Sequence, residues 1–218
     1  MIDSVAIRTI VCVHGIWGRG IEMALMRRRL QKEHGFRVLL FNYPSVRGTL
    51  DSNAARLARY IADGQLGNTH IIGHSLGGII ALRMLANYPG AVSGRVVCIG
   101  SPLTGSRPAA IRAQKNWAAP IIGHSLPAGV VQMPASDWAT PVCESHDVGV
   151  IAGTVPVGFG RLVTRFDGDH DGSVAVAETR LEGVKDHVCL KVSHKSILVS
   201  REVVEQAAAF LKSGEFLR

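Results

Sequence analysis

The sequence predicts an α/β fold in which a mostly parallel sheet is flanked by helices on both faces. Short β-branched runs alternate with helical patterns along the chain, which is typical of parallel strands joined by covering helices. Each run is almost continuously apolar, as in residues 10–13, and this indicates strands buried on both sides. The predicted strands are residues 8–13, 37–42, 69–73, 95–99, 147–153 and 187–193.

Four helices are predicted between and after these strands, over residues 20–33, 51–64, 76–88 and 201–212. The last has the clearest period, because Val203, Ala207 and Phe210 fall on one face. Ser200 is placed to cap its first turn and Gly214 follows its end. We therefore expect this helix to pack on the sheet.

A single α/β domain is expected to span residues 1–218, because no stretch of the chain has the composition of a linker. Residues 101–144 are rich in proline and glycine and have weak periodicity, apart from a short helix near residues 108–117. This segment precedes the penultimate strand. A long excursion at the carboxyl ends of parallel strands is where a substrate-covering lid would lie, so we predict a lid-like insertion.

The charge and the hydropathy pattern indicate whether the protein binds nucleic acid or a membrane. The net charge is +7 and the isoelectric point is about 9.6. Arg27, Arg28, Arg29 and Lys32 carry part of that charge without interleaved aromatic residues, which favours a solvated helix face over a nucleic-acid site. No apolar run reaches roughly 18 residues and no export signal precedes the first strand. A soluble cytoplasmic protein is expected, with peripheral membrane contact left open.

The four cysteines show no CxxC pair that would suggest zinc or redox exchange. Cys12, Cys98 and Cys189 fall in predicted strands and are interpreted as buried free thiols, and Cys143 is interpreted as a loop thiol. No cofactor is expected from them.

Residues 73–77, Gly-His-Ser-Leu-Gly, match the GxSxG pattern of a nucleophilic serine. A predicted strand ends at Gly73 and an apolar helix begins at Leu76, so Ser75 falls on the strand-to-helix turn that this pattern requires. Glycines on either side leave room for the strained turn. The tetrapeptide recurs at residues 123–126, but Pro127 replaces the second glycine and neither a full strand nor a helix flanks it, so Ser125 is interpreted as loop structure.

His14-Gly15-Ile16-Trp17-Gly18 follows the first strand directly. Two fixed backbone N–H groups near the nucleophile would stabilise the oxygen charge of a tetrahedral intermediate. We assign these oxyanion donors to Ile16 and to Leu76, the residue after the nucleophile, and expect Trp17 to contact substrate. The alternative is a plain glycine turn after a strand.

Together these segments resemble the α/β-hydrolase superfamily, specifically its small lipase and esterase branch. The resemblance covers residues 8–213 except the insertion, and it implies the chain order serine, acid, histidine. It places the acid just beyond the penultimate strand, where Asp171-Gly172 is the closest match and Asp169 is the second candidate. His194 lies at the end of the last predicted strand and is the expected general base.

The same acidic segment also satisfies the EF-hand loop pattern, which makes a calcium site an alternative. Its ligands would be Asp167, Asp169, Asp171 and Glu178. Prolines and glycines stand where the two flanking helices should be, so we expect no bound metal.

The expected activity is that of a serine esterase or lipase acting on a small acyl ester through an acyl-enzyme on Ser75. A thioesterase or an amidase would use the same site, because acyl choice depends on pocket shape. A non-catalytic binding module is the alternative from another class, and it predicts a broken triad. Apolar residues of the insertion favour an apolar acyl group: Trp117, Ile121, Ile122, Val130, Val131 and Trp138.

Overall fold

A computed structural model of the chain describes residues 8–105, 133–157, 166 and 168–218. Its centre is a sheet of six strands in the order β2-β1-β3-β4-β5-β6, and every neighbouring pair is parallel. The strands are β1 (Thr9–Val13), β2 (Arg37–Phe41), β3 (His70–His74), β4 (Val96–Ile99), β5 (Val148–Gly153) and β6 (Asp186–Leu190). The predicted α/β class with a parallel sheet is confirmed.

Helices cover both faces of the sheet. The α-helices of the described residues are α1 (Ala24–His34), α2 (Leu50–Asp63), α3 (Leu76–Asn87), α4 (Thr140–Ser145) and α5 (Arg201–Ser213). One buried hydrophobic cluster joins the sheet to α2, α3 and α4, and a second joins it to α1 and α5. Successive residues of a strand point to opposite faces, so in β1 Val11 belongs to the first cluster and Cys12 to the second.

The ends of the helices follow from local chemistry. The Thr49 hydroxyl accepts the Ser52 N–H at 3.1 Å at the start of α2, and Ser200 accepts the Val203 N–H at 3.3 Å at the start of α5. Gly214 ends α5 with φ 85°, a conformation that glycine adopts without a Cβ clash. The predicted cap and stop of the last helix are both present.

Two boundaries differ from the sequence prediction by three residues or more. The first helix is preceded by a 3₁₀ turn at Ile21–Met23, so regular α-helix begins at Ala24. The last strand ends at Leu190, because the chain bends out of the ladder at Lys191. His194 therefore lies four residues beyond the strand, in a loop.

The cysteine interpretation needs two corrections. Cys143 is a buried residue of α4, and it is not in a loop. Cys189 is an exposed residue of β6, because β6 forms an edge of the sheet and its outer positions lack full cover. Cys12 and Cys98 are buried as expected, and burial raises the pKa of the Cys12 thiol to about 12.

The insertion is described in part. Residues 106–132 lie outside the described residues, together with the predicted helix near 108–117 and the second Gly-His-Ser-Leu segment. The described remainder includes a 3₁₀ turn at Ala135–Asp137 and α4, and both contribute to the core on the α3 side of the sheet. Within the described part of the chain, no helix is long and apolar enough to cross a bilayer.

Candidate active site

All six strands run in the same direction, so the loops after their carboxyl ends gather at one rim of the sheet. The predicted site residues occupy these loops. Ile16 and Trp17 follow β1, Ser75 follows β3, and His194 lies beyond the end of β6. Asp171 lies in the connection between β5 and β6.

Ser75 occupies a strained turn between β3 and α3. Its backbone has φ 54° and ψ −121°, and a positive φ is costly for a residue with a Cβ, of the order of 1–3 kcal/mol. The turn is held because the Ser75 N–H donates to the Ile99 carbonyl at 2.8 Å, which extends the pairing of β3 with β4. The side chain is thereby fixed at the head of α3, the end of the helix that favours negative charge.

Glycines around Ser75 are needed for close packing. A Cβ on Gly73 would overlap Gly78, and a Cβ on Gly77 would overlap the carbonyl oxygen of Val13. A Cβ on Gly15 would lie only 3.1 Å from the Ser75 Cβ, so the loop after β1 packs closely against the Ser75 turn. This contact places the loop that carries Ile16 against the Ser75 turn.

Asp171 and His194 form a hydrogen-bonded pair. The imidazole Nδ1 and the carboxylate Oδ2 are 2.6 Å apart, and the His194 N–H also donates to the Asp171 carbonyl at 2.8 Å. The other carboxylate oxygen, Oδ1, accepts the N–H groups of Ser173 and Val174 at 2.8 and 2.7 Å. Asp171 is 1% exposed, so these bonds hold a buried carboxylate in one orientation.

The structure separates the two candidate acids. Asp169 is exposed, and its carbonyl accepts the Val176 N–H at 2.9 Å. Gly153, the last residue of β5, makes room for Asp171, since a Cβ there would lie 2.8 Å from the Asp171 Cβ. The geometry therefore brings Asp171 to His194.

The pair lies beside the serine turn. Gly100 follows β4 next to Ser75, and a Cβ on Gly100 would be 3.3 Å from both Asp171 Oδ2 and His194 Nδ1. No hydrogen bond joins Ser75 Oγ to the imidazole in the described part of the chain. Such contacts often form only when substrate closes the site.

The loop after β1 is supported by Tyr43, a residue for which the sequence made no functional prediction. The Tyr43 hydroxyl donates to the His14 carbonyl at 2.7 Å, and the two rings stack with centroids 4.3 Å apart. His14 Nδ1 donates to the Gly15 carbonyl at 2.8 Å. The only sequence signal for Tyr43 is its position just after β2, the neighbour of β1 in the sheet.

The predicted oxyanion donors are available in this arrangement. Among the described residues, the N–H groups of Ile16 and Leu76 donate to no hydrogen-bond acceptor. Trp17 lies beside them with φ 60° and a side chain that is 54% exposed, and its N–H donates to Ser45 Oγ at 3.1 Å. A bulky residue held at positive φ is uncommon, and such residues cluster at functional sites.

The four residues predicted as alternative calcium ligands are only partly described by the structure, because Asp167 lies outside the described residues. The carboxylate of Asp171 accepts the Val174 N–H and bonds to His194 Nδ1. Glu178 Oε2 accepts the Ala175 N–H at 2.9 Å. These oxygens make hydrogen bonds that order the loop from within. The absence of calcium stays a prediction.

Two buried histidines near the site are expected to make stability depend on pH. Burial lowers the pKa of His14, and burial together with the nearby His194 lowers the pKa of His74 well below its usual value. The unfolded chain then binds more protons than the folded one below about pH 6.5, so the free energy of unfolding falls as the pH falls. Each histidine changes the free energy of unfolding by at most about 1.4 kcal/mol per pH unit.

Urea unfolding at pH 7.5, 6.5 and 5.5 measures this slope. The variant His74→Gln lacks one of the two groups and should show a shallower slope over the same range. A free energy of unfolding that stays constant or rises toward pH 5.5 would contradict the expected linkage.

Residues 10–204 match the alpha/beta hydrolase family, so the chain belongs to that family. No curated protein matches the chain.

Several solved structures share the fold. The lipase BlEst2 of Bacillus licheniformis, in its mature form, is 20% identical with a TM-score of 0.73, over 97% of this chain and 94% of that one. A metagenomic carboxyl esterase, MGS0156, is 17% identical with a TM-score of 0.67, over 88% and 65% of the two chains. An extracellular alpha/beta-hydrolase of a Paenibacillus species is 13% identical with a TM-score of 0.62, over 94% and 98%. At these identities the likeness establishes the fold alone.

Proposed function

We propose that this protein is a serine hydrolase that cleaves carboxylic esters through an acyl-enzyme on Ser75. The observation that carries the proposal is the buried Asp171–His194 pair, 2.6 Å between Nδ1 and Oδ2, held at the same rim of the sheet as a serine with a strained backbone. A non-catalytic module of this fold requires neither the buried pair nor the strained serine.

The protonation of the pair determines its chemistry. A carboxylate only accepts hydrogen bonds, so His194 Nδ1 carries the proton toward Asp171 and Nε2 is left with a lone pair. Nε2 takes the Ser75 proton as the hydroxyl attacks the acyl carbon, and it then passes that proton to the leaving alcohol. A water molecule, activated by the same nitrogen, next releases the acid from Ser75.

The negative oxygen formed during attack needs donors that are already in place. The N–H groups of Ile16 and Leu76 would supply them, since neither has an acceptor among the described residues. Leu76 is the first residue of α3, and the partial positive charge at the helix start adds to the stabilisation. Removing one such donor typically costs about 10²–10³ in kcat.

The substrate is proposed to be a small-molecule ester with an apolar acyl group. Trp17 presents a half-exposed indole beside the oxyanion turn, where it can cover an acyl chain. A thioester or an amide could react with the same serine, and these substrates differ from an ester in their leaving group.

The test is the hydrolysis rate of p-nitrophenyl esters from acetate to laurate, with a thioester and an anilide of the best acyl group beside them. We expect turnover of the esters, with kcat/KM rising about three- to fourfold for each methylene that enters an apolar pocket, at about 0.8 kcal/mol each. The anilide should be cleaved far more slowly than the ester. Failure to hydrolyse any ester in the series would contradict the proposal, and a faster thioester would move the assignment to a thioesterase.

A further inference from the structure

His194 itself is held by hydrogen bonds from two other parts of the chain. The His194 N–H and its ring Nδ1 both bond to Asp171, at 2.8 and 2.6 Å. On the other side of the residue, the His194 carbonyl oxygen is 3.3 Å from Nε2 of His74. His194 is therefore fixed through its side chain and through both of its peptide groups.

His74 is the last residue of β3 and immediately precedes Ser75. It is 8% exposed, and its ring centroid is 4.9 Å from that of His194 at an interplanar angle of 42°. Its backbone is fixed by the sheet, where His74 pairs with Ile99 of β4. The side chain thus extends from a rigid strand to the more exposed loop beyond β6.

The direction of the hydrogen bond follows from its acceptor. A carbonyl oxygen cannot donate, so Nε2 of His74 carries the hydrogen and donates to His194. Burial and the neighbouring His194 lower the pKa of His74 well below its usual value, so its ring stays neutral. A neutral ring with hydrogen on Nε2 brings no positive charge next to the general base.

We propose that His74 is a positioning residue, which holds the backbone of the general base His194 in register with the adjacent nucleophile Ser75. The inference rests on the proposed function. Its physical basis is that His194 lies four residues beyond the end of β6, so the sheet ladder does not place it. The hydrogen bond from His74 ties it to the strand that also carries Ser75.

The test compares three variants at one active-site concentration, determined by fluorophosphonate titration. In His74→Leu the donor is lost at similar volume, and kcat for the best p-nitrophenyl ester should fall about tenfold to a hundredfold with little change in KM, since misplacement by about 1 Å costs up to 10²-fold. In His74→Gln an amide N–H can reach the position of Nε2, and kcat should return to within about threefold of the parent.

The matched control is His70→Leu at the other end of the same strand. His70 is also buried, at 3% exposure, and its Nδ1 accepts the Arg95 N–H at 2.8 Å, far from the rim. This variant loses a buried histidine but should keep the parent kcat per titrated site. A loss equal to that of His74→Leu, or the same loss in His74→Gln, would mean a general packing role and would overturn the inference.

A second readout does not need turnover. Proton NMR should show a low-field resonance for the hydrogen between His194 Nδ1 and Asp171 Oδ2, which persists in His74→Gln and broadens by exchange in His74→Leu. If the parent protein neither cleaves esters nor reacts with the fluorophosphonate, the proposed function fails and this resonance alone decides the role of His74. An unchanged resonance in His74→Leu would overturn that role.

Discussion

Replacing Ser75 by alanine should lower kcat for p-nitrophenyl ester hydrolysis by about 10⁴-fold or more, to the limit of detection. The variant lacks the oxygen that attacks the acyl carbon, and no neighbouring hydroxyl is placed on the same strained turn. Alanine carries the same Cβ as serine, so the backbone at φ 54° is no more strained than before. Circular dichroism and the thermal midpoint should therefore match those of the parent protein.

The sequence itself offers a matched control for this variant. Ser125 stands in the second Gly-His-Ser-Leu segment, which lacks the following glycine. Ser125→Ala should keep turnover within about twofold of the parent. Equal losses in the two variants, or normal turnover in Ser75→Ala, would contradict the assignment of Ser75.

Replacing Asp171 by asparagine should lower kcat by about 10⁴-fold while KM changes little, as expected when the imidazole takes the wrong tautomer. The asparagine Oδ1 can still accept the N–H groups of Ser173 and Val174. Its NH₂ group then points at His194 Nδ1, which must become an acceptor, so the hydrogen moves to Nε2. An Nε2 that carries a hydrogen cannot accept the proton of Ser75.

Asp169→Asn is the control for that substitution, with the same chemical change two residues away. Asp169 is exposed, so its variant should retain kcat within about twofold of the parent. A large loss in Asp169→Asn together with a small one in Asp171→Asn would reverse the assignment of the acid.

The sequence predicted the elements of the sheet more completely than their arrangement. All six strands were found because each is a nearly continuous apolar run, and such a run signals burial on both faces without neighbours being known. The order β2-β1-β3-β4-β5-β6 could not be obtained in this way, since an apolar run does not show which strands lie next to it in the sheet. For the same reason Cys189 was wrongly interpreted as buried, because only the order shows that β6 is an edge strand.

The end of β6 shows how tertiary structure limits pattern-based prediction. The apolar run continues to Val192, and Val192 is indeed buried, but the backbone leaves the ladder at Lys191. An apolar pattern reports burial and does not distinguish a strand from a packed loop. His194 was thus predicted at a strand end, where the structure has a loop.

The local part of the candidate site was accessible from sequence, because a GxSxG turn lies within a few consecutive residues. The choice of Asp171 over Asp169 rested on the family resemblance alone, since the contact with His194 joins positions 23 residues apart in the chain. The supporting contacts of His74, Tyr43 and Gly100 were missed for the same reason. Each is a contact between segments that are distant along the chain.

Reaction of the folded protein with a fluorophosphonate, followed by peptide mapping, decides whether Ser75 is an activated nucleophile. An activated serine is required for labelling, and the proposed mechanism predicts one equivalent of label on Ser75, which is lost in Ser75→Ala and strongly slowed in Asp171→Asn. A folded protein that stays unlabelled, or that carries the label on another serine, would contradict the assignment of the site.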